Sequence, residues 1–556
     1  MPVPAQPTRD SLMKRVIEMG EFKKPKRAKV MNEIEQEQEQ TAEELLENKP
    51  LEQIEIDPIT AVNVERLKTV FKDVDVFVHH SLTFPNAREG QDGRVPEGAV
   101  FFLDDLVNED ILDQHVIHPL LEMGPESFFG QHVEDQVITA KKIVQVDNLK
   151  AAVEMVTSGS TLVHVDGMTH ALAIVAPGFP TRSVSEPEAE PLVRGPREGF
   201  TEKLQDNTAL IRKRLRTPEL KSEVVKLGRR SQTTVCFMYM RELVEEDVLK
   251  TVRERLKNVD IDILLESAQL EELIEDSVYS PFPQIVSTER PDKVVSALSE
   301  GRVAIIIDGT PFVLIVPSVF YDFLQASEDF YQRFYFSTAI RILRTMTFLV
   351  ALLGPSFYIA ITTFHQELIP TPLLLTVISA RAGVPFPALI EALIMEISFE
   401  VLREAGVRLP RPVGSAVSIV GALVIGQAAV EAGIISQAMV IVVAFTGIAS
   451  FTVPAFNLSM ATRLLRFPMM IIAAGLGLFG MAIALVALGI HMCSIRTFGV
   501  PYMSPIAPMH VRTWGSEIFV LPYPLRKWRQ EYIQKKDLKR SDVPSNPPQQ
   551  EGDGQS

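Results

Sequence analysis

The side chains best placed to do chemistry stand in an apolar setting. From Phe386 to Glu404 the run FPALIEALIMEISFEVLRE carries Glu391, Glu396, Glu400 and Glu404, with Arg403 among them. At about 100° per residue, Glu396, Glu400, Arg403 and Glu404 share one helix face, and Glu391 lies roughly opposite. Carboxylates are costly against hydrocarbon, so these should meet water, protein or counter-charges. Two readings stay open. One is a ring of acidic groups around a cation pathway when several copies assemble; the other is an interfacial helix whose charged face meets headgroups. The next apolar run spaces small residues at Gly414, Ser418, Ala422 and Gly426. That stripe suits close helix packing, and it also suits the wall of a narrow pore.

Other reactive types are scattered. His79-His80 adjoins a strand-like run, and no His/Cys cluster has metal-ligand spacing. Asp104-Asp105 follows an apolar strand, where a turn or helix cap is expected. The run Arg194-Gly195-Pro196-Arg197-Glu198-Gly199 invites a phosphate-loop reading but lacks the Gly-Lys-Ser/Thr ending and a preceding strand. A structural linker is expected there, with Arg194 and Arg197 pairing nearby glutamates. No catalytic group, metal or cofactor is expected. Cys236 and Cys493 are the two cysteines, too few for a disulfide framework, and a net charge of −15 argues against nucleic acid as a partner.

The elements that must position these groups fall into two halves. Thr345–Thr363, Ile434–Phe451 and Phe467–Ile490 are apolar enough to cross a bilayer core of about 30 Å, and Val413–Val430 nearly so. A transmembrane domain over 335–495 with about four to five spans is expected. Arg341 and Arg344, Arg403, Arg408 and Arg411, and Arg463 and Arg466 belong on the cytosolic side. Five simple crossings would put the basic tail outside, against that rule, so either one element does not cross or Thr497–Leu525 conceals a return. The opening residues lack an apolar leader, so the N-terminal half is expected to face the cytosol.

That half reads as a polar disordered arm (1–60), an α/β subdomain (61–180), a linker with a helix (181–231) and a second α/β subdomain (232–320); residues 496–556 read as a basic, disordered tail. The two subdomains echo each other. Leu106–Leu112 matches Leu243–Leu249, and Gly159 precedes Asp166-Gly167 as Gly301 precedes Asp308-Gly309. Asp-Gly between apolar runs signals a hairpin turn, and the repeated order implies duplication.

EPLVRGPREGFTE, NTALIRKRL, SPFPQ and TERPDKV, with IDGTPFVLIVP, TTFHQELIPT, GVPFPALIEALIMEISFEVLREAGVRLPRPVG, LLRFPMM and RTFGVPYMSPIAP, resemble the GerA spore-germination family from about residue 65 to 515. The pattern is that of the A subunit of nutrient germinant receptors, and the stage V sporulation AF-type proteins share most of it. The resemblance implies a spore inner-membrane protein that works with a B subunit resembling amino-acid transporters and a C lipoprotein. Self-association into a ligand-gated cation channel is the mechanism expected of it. An AF-type accessory channel without nutrient sensing and a non-conducting scaffold are the alternatives.

Overall fold

The computed structural model describes residues 42–84 (43 and 47 apart), 97–108, 112–118, 143–174, 186–408 (188 apart) and 426–540. Residues 1–41 of the polar arm, both ends of the EDILDQHVIHPLLEM stretch, most of Val413–Val430 and the last sixteen residues lie outside that set. The described chain forms two compact units, one up to residue 179 and one that takes up nearly all of the rest.

In the first unit, α1 (Thr60–Val70) precedes β1 (Phe77–Thr83) and β2 (Glu97–Leu103). Then come β3 (Ile143–Val146), α2 (Leu149–Thr157), β4 (Thr161–Val165) and β5 (Ala171–Ile174). The sheet order is β1-β2-β4-β5-β3, and every pairing is antiparallel. The arm ends earlier than its polarity suggests. Ile54 and Ile56 are buried, and Ile56 N–H donates to the Asp147 carbonyl while Leu149 N–H donates to that of Ile54. Two isoleucines bury enough apolar surface to hold a short segment that reads as solvated.

The second unit begins with α3 (Leu204–Arg212), then β6 (Leu220–Leu227), β7 (Thr233–Met240), α4 (Glu246–Asn258) and α5 (Ser267–Ile274). β8 (Val286–Thr288), α6 (Pro291–Leu298), β9 (Val303–Ile307) and β10 (Val313–Val316) complete the layer. The order β6-β7-β9-β10-β8 reproduces the first sheet, again wholly antiparallel. Residues assigned to a linker are therefore part of the fold: α3 and β6 stand where α1 and β1 stand in the first unit. The polarity of RKRLRTPELK hides this, because β6 is an edge strand that buries only some of its side chains.

One device recurs in both layers. Asp166 Oδ1 accepts from the backbone N–H of Thr60, the first residue of α1, and Asp308 Oδ1 accepts from that of Leu204, the first residue of α3. Asn63 and Asn207, each three residues further on, bond the backbone N–H and C=O six residues before them. Gly167 and Gly309 take positive φ, 91° and 93°, while the aspartates do not. These turns therefore differ from type I′, which needs positive φ at both central residues. Aspartate is selected here because its side chain supplies the acceptor that the helix N-terminus lacks.

β7 explains why the second sheet reads as near-continuous apolar runs. Val235, Phe237 and Tyr239 meet α4 and α5 on one face, while Cys236 and Met238 meet α3 and α6 on the other. Both faces are covered, so alternation disappears. The second cluster also takes in Phe320, Phe348, Leu458, Met492 and Tyr502, joining the sheet to the feet of the apolar helices. Phe320 packs edge-on against Phe348 and Tyr502, with centroids 5.6 and 6.1 Å away.

Those helices are α7 (Phe334–Phe364), α8 (Thr371–Arg381), α9 (Ala388–Arg408), α10 (Gln437–Phe451) and α11 (Phe456–Ser494). By length and hydropathy α7 and α11 qualify as membrane-crossing candidates. α11 is not one rod. At Gly477 φ is 60° and ψ −149°, a conformation essentially reserved for glycine. A Cβ on Gly480 would lie 3.0 Å from Ile472 Cγ2, a residue about 12 Å away along an unbroken helix. The chain thus doubles back at Gly477. Its two ends both reach the second α/β layer: Asn457 neighbours Glu271, and His491 Nε2 lies 3.0 Å from Ser280 Oγ. The apolar run Phe467–Ile490 reads as one span because nothing in its hydropathy marks the reversal.

Residues 496–540 are folded, which corrects the disordered tail. β11 (Arg496–Thr497) and β12 (Val500–Pro501) form a short ribbon. Phe498, Tyr502, Val520 and Ile533 are buried, and Tyr502 Oη donates to the Pro283 carbonyl at 2.8 Å. The basic residues that suggest disorder are in part structural. Arg529 Nε donates to the Ser299 carbonyl, and Arg540 pairs with Glu300.

Candidate functional site

The acidic helix is α9, and the structure gives its carboxylates partners. Glu391, fully buried, takes Arg381 of α8 at 3.3 Å and the backbone N–H of Ser436 at 3.0 Å. Ser436 caps α10 by accepting from Met439 N–H. A carboxylate thus sits at the positive end of a helix, where its charge is favoured. Glu396 bonds Arg466 of α11 at 2.6 Å, and both are nearly solvent-free. Arg466 Nε also donates to the Ala351 carbonyl of α7 at 2.7 Å. Glu400 pairs with Arg463, and with Arg403 at 3.7 Å; Glu404 pairs with Arg408 at 2.6 Å. Arg403 donates to Ser450 Oγ and lies over the rings of Phe399 and Phe451.

An acidic ring open to a cation pathway needs carboxylates without counter-charges. Here Glu391, Glu396 and Glu400 are matched by arginines of the same chain, and the set binds α7, α8, α9 and α11 together. Glu391, roughly opposite the others on the helix, is as buried as Glu396. Sequence reading treats Arg463 and Arg466 as topology markers and Arg381 as an interruption. The signal that identifies them is charge balance, because each carboxylate in apolar surroundings requires a cation within reach. Gly414, Ser418 and Ala422 lie outside the described residues. Gly426 is helical, and a Cβ there would stand 3.6 Å from Val440, ordinary contact.

The glycine-containing motif belongs to the second unit. Glu198 bonds Lys213 at 2.8 Å and Arg214 at 2.6 Å, and the Pro196 carbonyl accepts from the buried Arg290. Gly195 has φ 150°, and a Cβ there would meet the Tyr331 ring at 2.9 Å. Gly199 is buried, Arg194 is exposed, and Arg197 approaches Glu186 at 3.9 Å. The loop is therefore tied to α3 and to the TERPDKV segment. Among the described residues no group of three or more His, Cys, Asp and Glu is arranged for a metal.

A titrating pair stands where α5 meets the foot of α11. Burial, followed by the like charges of neighbouring glutamates, pushes the Glu271 carboxyl up to about 8. Glu275 rises to about 7 for the same reasons, with Glu272 and Asp276 as its neighbours. Groups raised in the folded state contribute stability below their unfolded values, and that contribution is lost as pH rises through the folded ones. The chain should therefore melt at a lower temperature at pH 8.5 than at pH 5.5. Glu271→Gln should flatten that slope, and a slope unchanged by the substitution would remove Glu271 as its source.

Tandem antiparallel α/β layers, the second rooted in apolar helices clamped by ion pairs, define a two-part protein of membrane character. The chain belongs to the GerA family: the family model described as Bacillus/Clostridium GerA spore germination protein matches residues 65–532. It is 46% identical over 455 residues to spore germination protein KA of Bacillus subtilis (strain 168), covering 81% of this chain and 83% of that one. It is 45% identical to the uncharacterized membrane protein YfkQ of the same strain, covering 76% and 82% respectively. A crystal structure of the N-terminal domain of the A subunit of the Bacillus megaterium spore germinant receptor GerK3 is 29% identical, covering 48% of this chain and 97% of that chain, with a TM-score of 0.34.

Proposed function

We propose that this chain is the A subunit of a nutrient germinant receptor in the spore inner membrane, with its α/β layers on the core side. The observation that carries this reading is the extent of the family match, which takes in both α/β layers and the helical region. In this reading the helices cross the bilayer several times. The reversal at Gly477 supports a return of the C-terminal segment to the side of the second α/β layer, as the positive-inside pattern requires. The subunit works beside a B subunit of the amino-acid transporter type and a C lipoprotein, surrounded by membrane lipid. Copies of the chain assemble around a cation pathway that opens on nutrient binding. The arginine-matched carboxylates of α9 act in that assembly as clamps between helices rather than as bare pore lining.

The same ion pairs favour a second reading, a non-conducting scaffold that clusters receptors, since they leave α9 without free charge for ions. Spores lacking this chain separate the possibilities. Loss of monovalent cation release to one nutrient class, restored by the intact gene, supports the receptor. A uniform slowing of every nutrient response points instead to an AF-type accessory role, and unaltered germination would sink both. Potassium flux through liposomes carrying the purified chain and its partners then distinguishes channel from scaffold.

A further inference from the structure

A cavity of about 470 Å³ lies between α6, the turns from Asp322 to Tyr331 that lead into α7, and the segment from Ser516 to Arg540. Small-molecule sites commonly occupy ~300–1,000 Å³. Most charges on its wall are already matched. Arg302 pairs with Asp322 at 2.5 Å and bonds Gln530, Lys293 meets Glu190 at 3.0 Å, and Glu517, whose carboxyl is pushed up by burial, accepts from the neutral amides of Gln325 and Gln530.

Arg526 is different. It is 8% exposed, and its Nε is spent on the Leu521 carbonyl at 2.7 Å. Its guanidinium lies over the Phe330 ring, 5.3 Å from the centroid, and Arg341 lies 5.0 Å from the same centroid. Among the described residues no carboxylate pairs with Arg526, whereas Arg341 is held by Asp329 at 2.9 Å. Burial, reinforced by Arg341, holds the Arg526 guanidinium below its ordinary range. Ser327, on the turn that carries Phe330, has a buried Oγ without a partner. A buried cation without a counter-charge is costly, and this one lines a space with room for an anion.

We infer that this cavity binds a small organic carboxylate, held by the terminal nitrogens of Arg526 and the hydroxyl of Ser327, with its carbon body against Phe330 and Tyr523. The guanidinium fork matches a carboxylate in two parallel hydrogen bonds. One unmatched cation balances one negative charge, and aromatic walls suit an organic body better than an inorganic ion. An occupant would join the C-terminal segment to the turns at the base of α7. That role stands apart from the germination reading, so either can fail alone.

The test is thermal unfolding of the full chain in detergent, titrated with benzoate and, separately, inorganic phosphate. Benzoate should raise the melting temperature in a saturable way, and Arg526→Gln should weaken that response about tenfold or more. Without ligand, Arg526→Gln should melt no lower than the parent, because it removes an unmatched buried cation. Should that variant unfold, Arg526→Lys keeps the charge, loses the fork and should still weaken benzoate binding. Ser327→Ala should weaken it more modestly. No response to benzoate, a response in both Arg526 variants equal to the parent's, or a stronger response to phosphate would each overturn the assignment.

Discussion

Arg466→Ala is expected to destabilise the helical region by about 3–5 kcal/mol, the cost of breaking a buried ion pair from one side. Arg466 holds three helices at once: it sits on α11, bonds Glu396 of α9 and donates to Ala351 of α7. Removing it leaves the Glu396 carboxylate buried, with one oxygen already unpartnered. Glu396→Ala strands the guanidinium instead but leaves its bond to Ala351, so the loss should be smaller. Replacing both by Leu and Met should restore much of the stability, because the desolvation of both charges disappears with them. Thermal unfolding of the purified chain and its two single and one double variants gives the coupling directly. If the singles melt like the parent, Glu396 and Arg466 are not a clamp. The same variants bear on conduction. Were Glu396 to line a cation pathway, Glu396→Gln would alter ion selectivity in chains whose melting temperature had not changed.

How far the fold could be read from sequence depended on whether the signal was local. The echo between Gly159–Gly167 and Gly301–Gly309 is short, regular and carried by residue types with strict backbone demands, so both hairpins were legible. The antiparallel pairing was not, because alternating strand and helix patterns leave strand direction open. α3 and β6 read as a linker with a helix because an edge strand and a charged helix end look like solvated chain. In fact Asn63 and Asn207 mark the start of each repeat, but a lone asparagine carries no weight until its partners are known. The acidic face of α9 was visible at once, whereas its counter-charges come from Arg381, Arg463 and Arg466, ten to seventy residues away. Pairing at such range is a tertiary fact. The cavity is more distant still, since Arg526 and Ser327 are joined only by folding of a tail whose basic composition suggests disorder.

The reversal inside α11 rests on a single residue, and Gly477→Ala is expected to cost about 3 kcal/mol. With φ at 60° and ψ at −149°, the backbone there lies where an L side chain carries roughly 1–3 kcal/mol of strain. The added methyl group would also stand 2.8 Å from His365 Cε1 and 3.0 Å from Phe364 Cβ, at the far end of α7. Neither neighbour gives way freely, because Phe364 Cβ is fixed to the helix backbone. The consequence reaches the other end of the molecule. Ser280 meets His491, and the Thr497 hydroxyl donates to the Ser318 carbonyl, so the whole segment after Gly477 is placed by the turn. An α11 straightened by alanine would carry Cys493 away from the second α/β layer. Thiol labelling in sealed vesicles reads this. In the parent, Cys493 and a cysteine introduced at the exposed Lys257 should be labelled from the same side. In Gly477→Ala the chain should either lose that agreement or be degraded. Same-side labelling with parental stability in the alanine variant would mean that the reversal does not depend on this glycine.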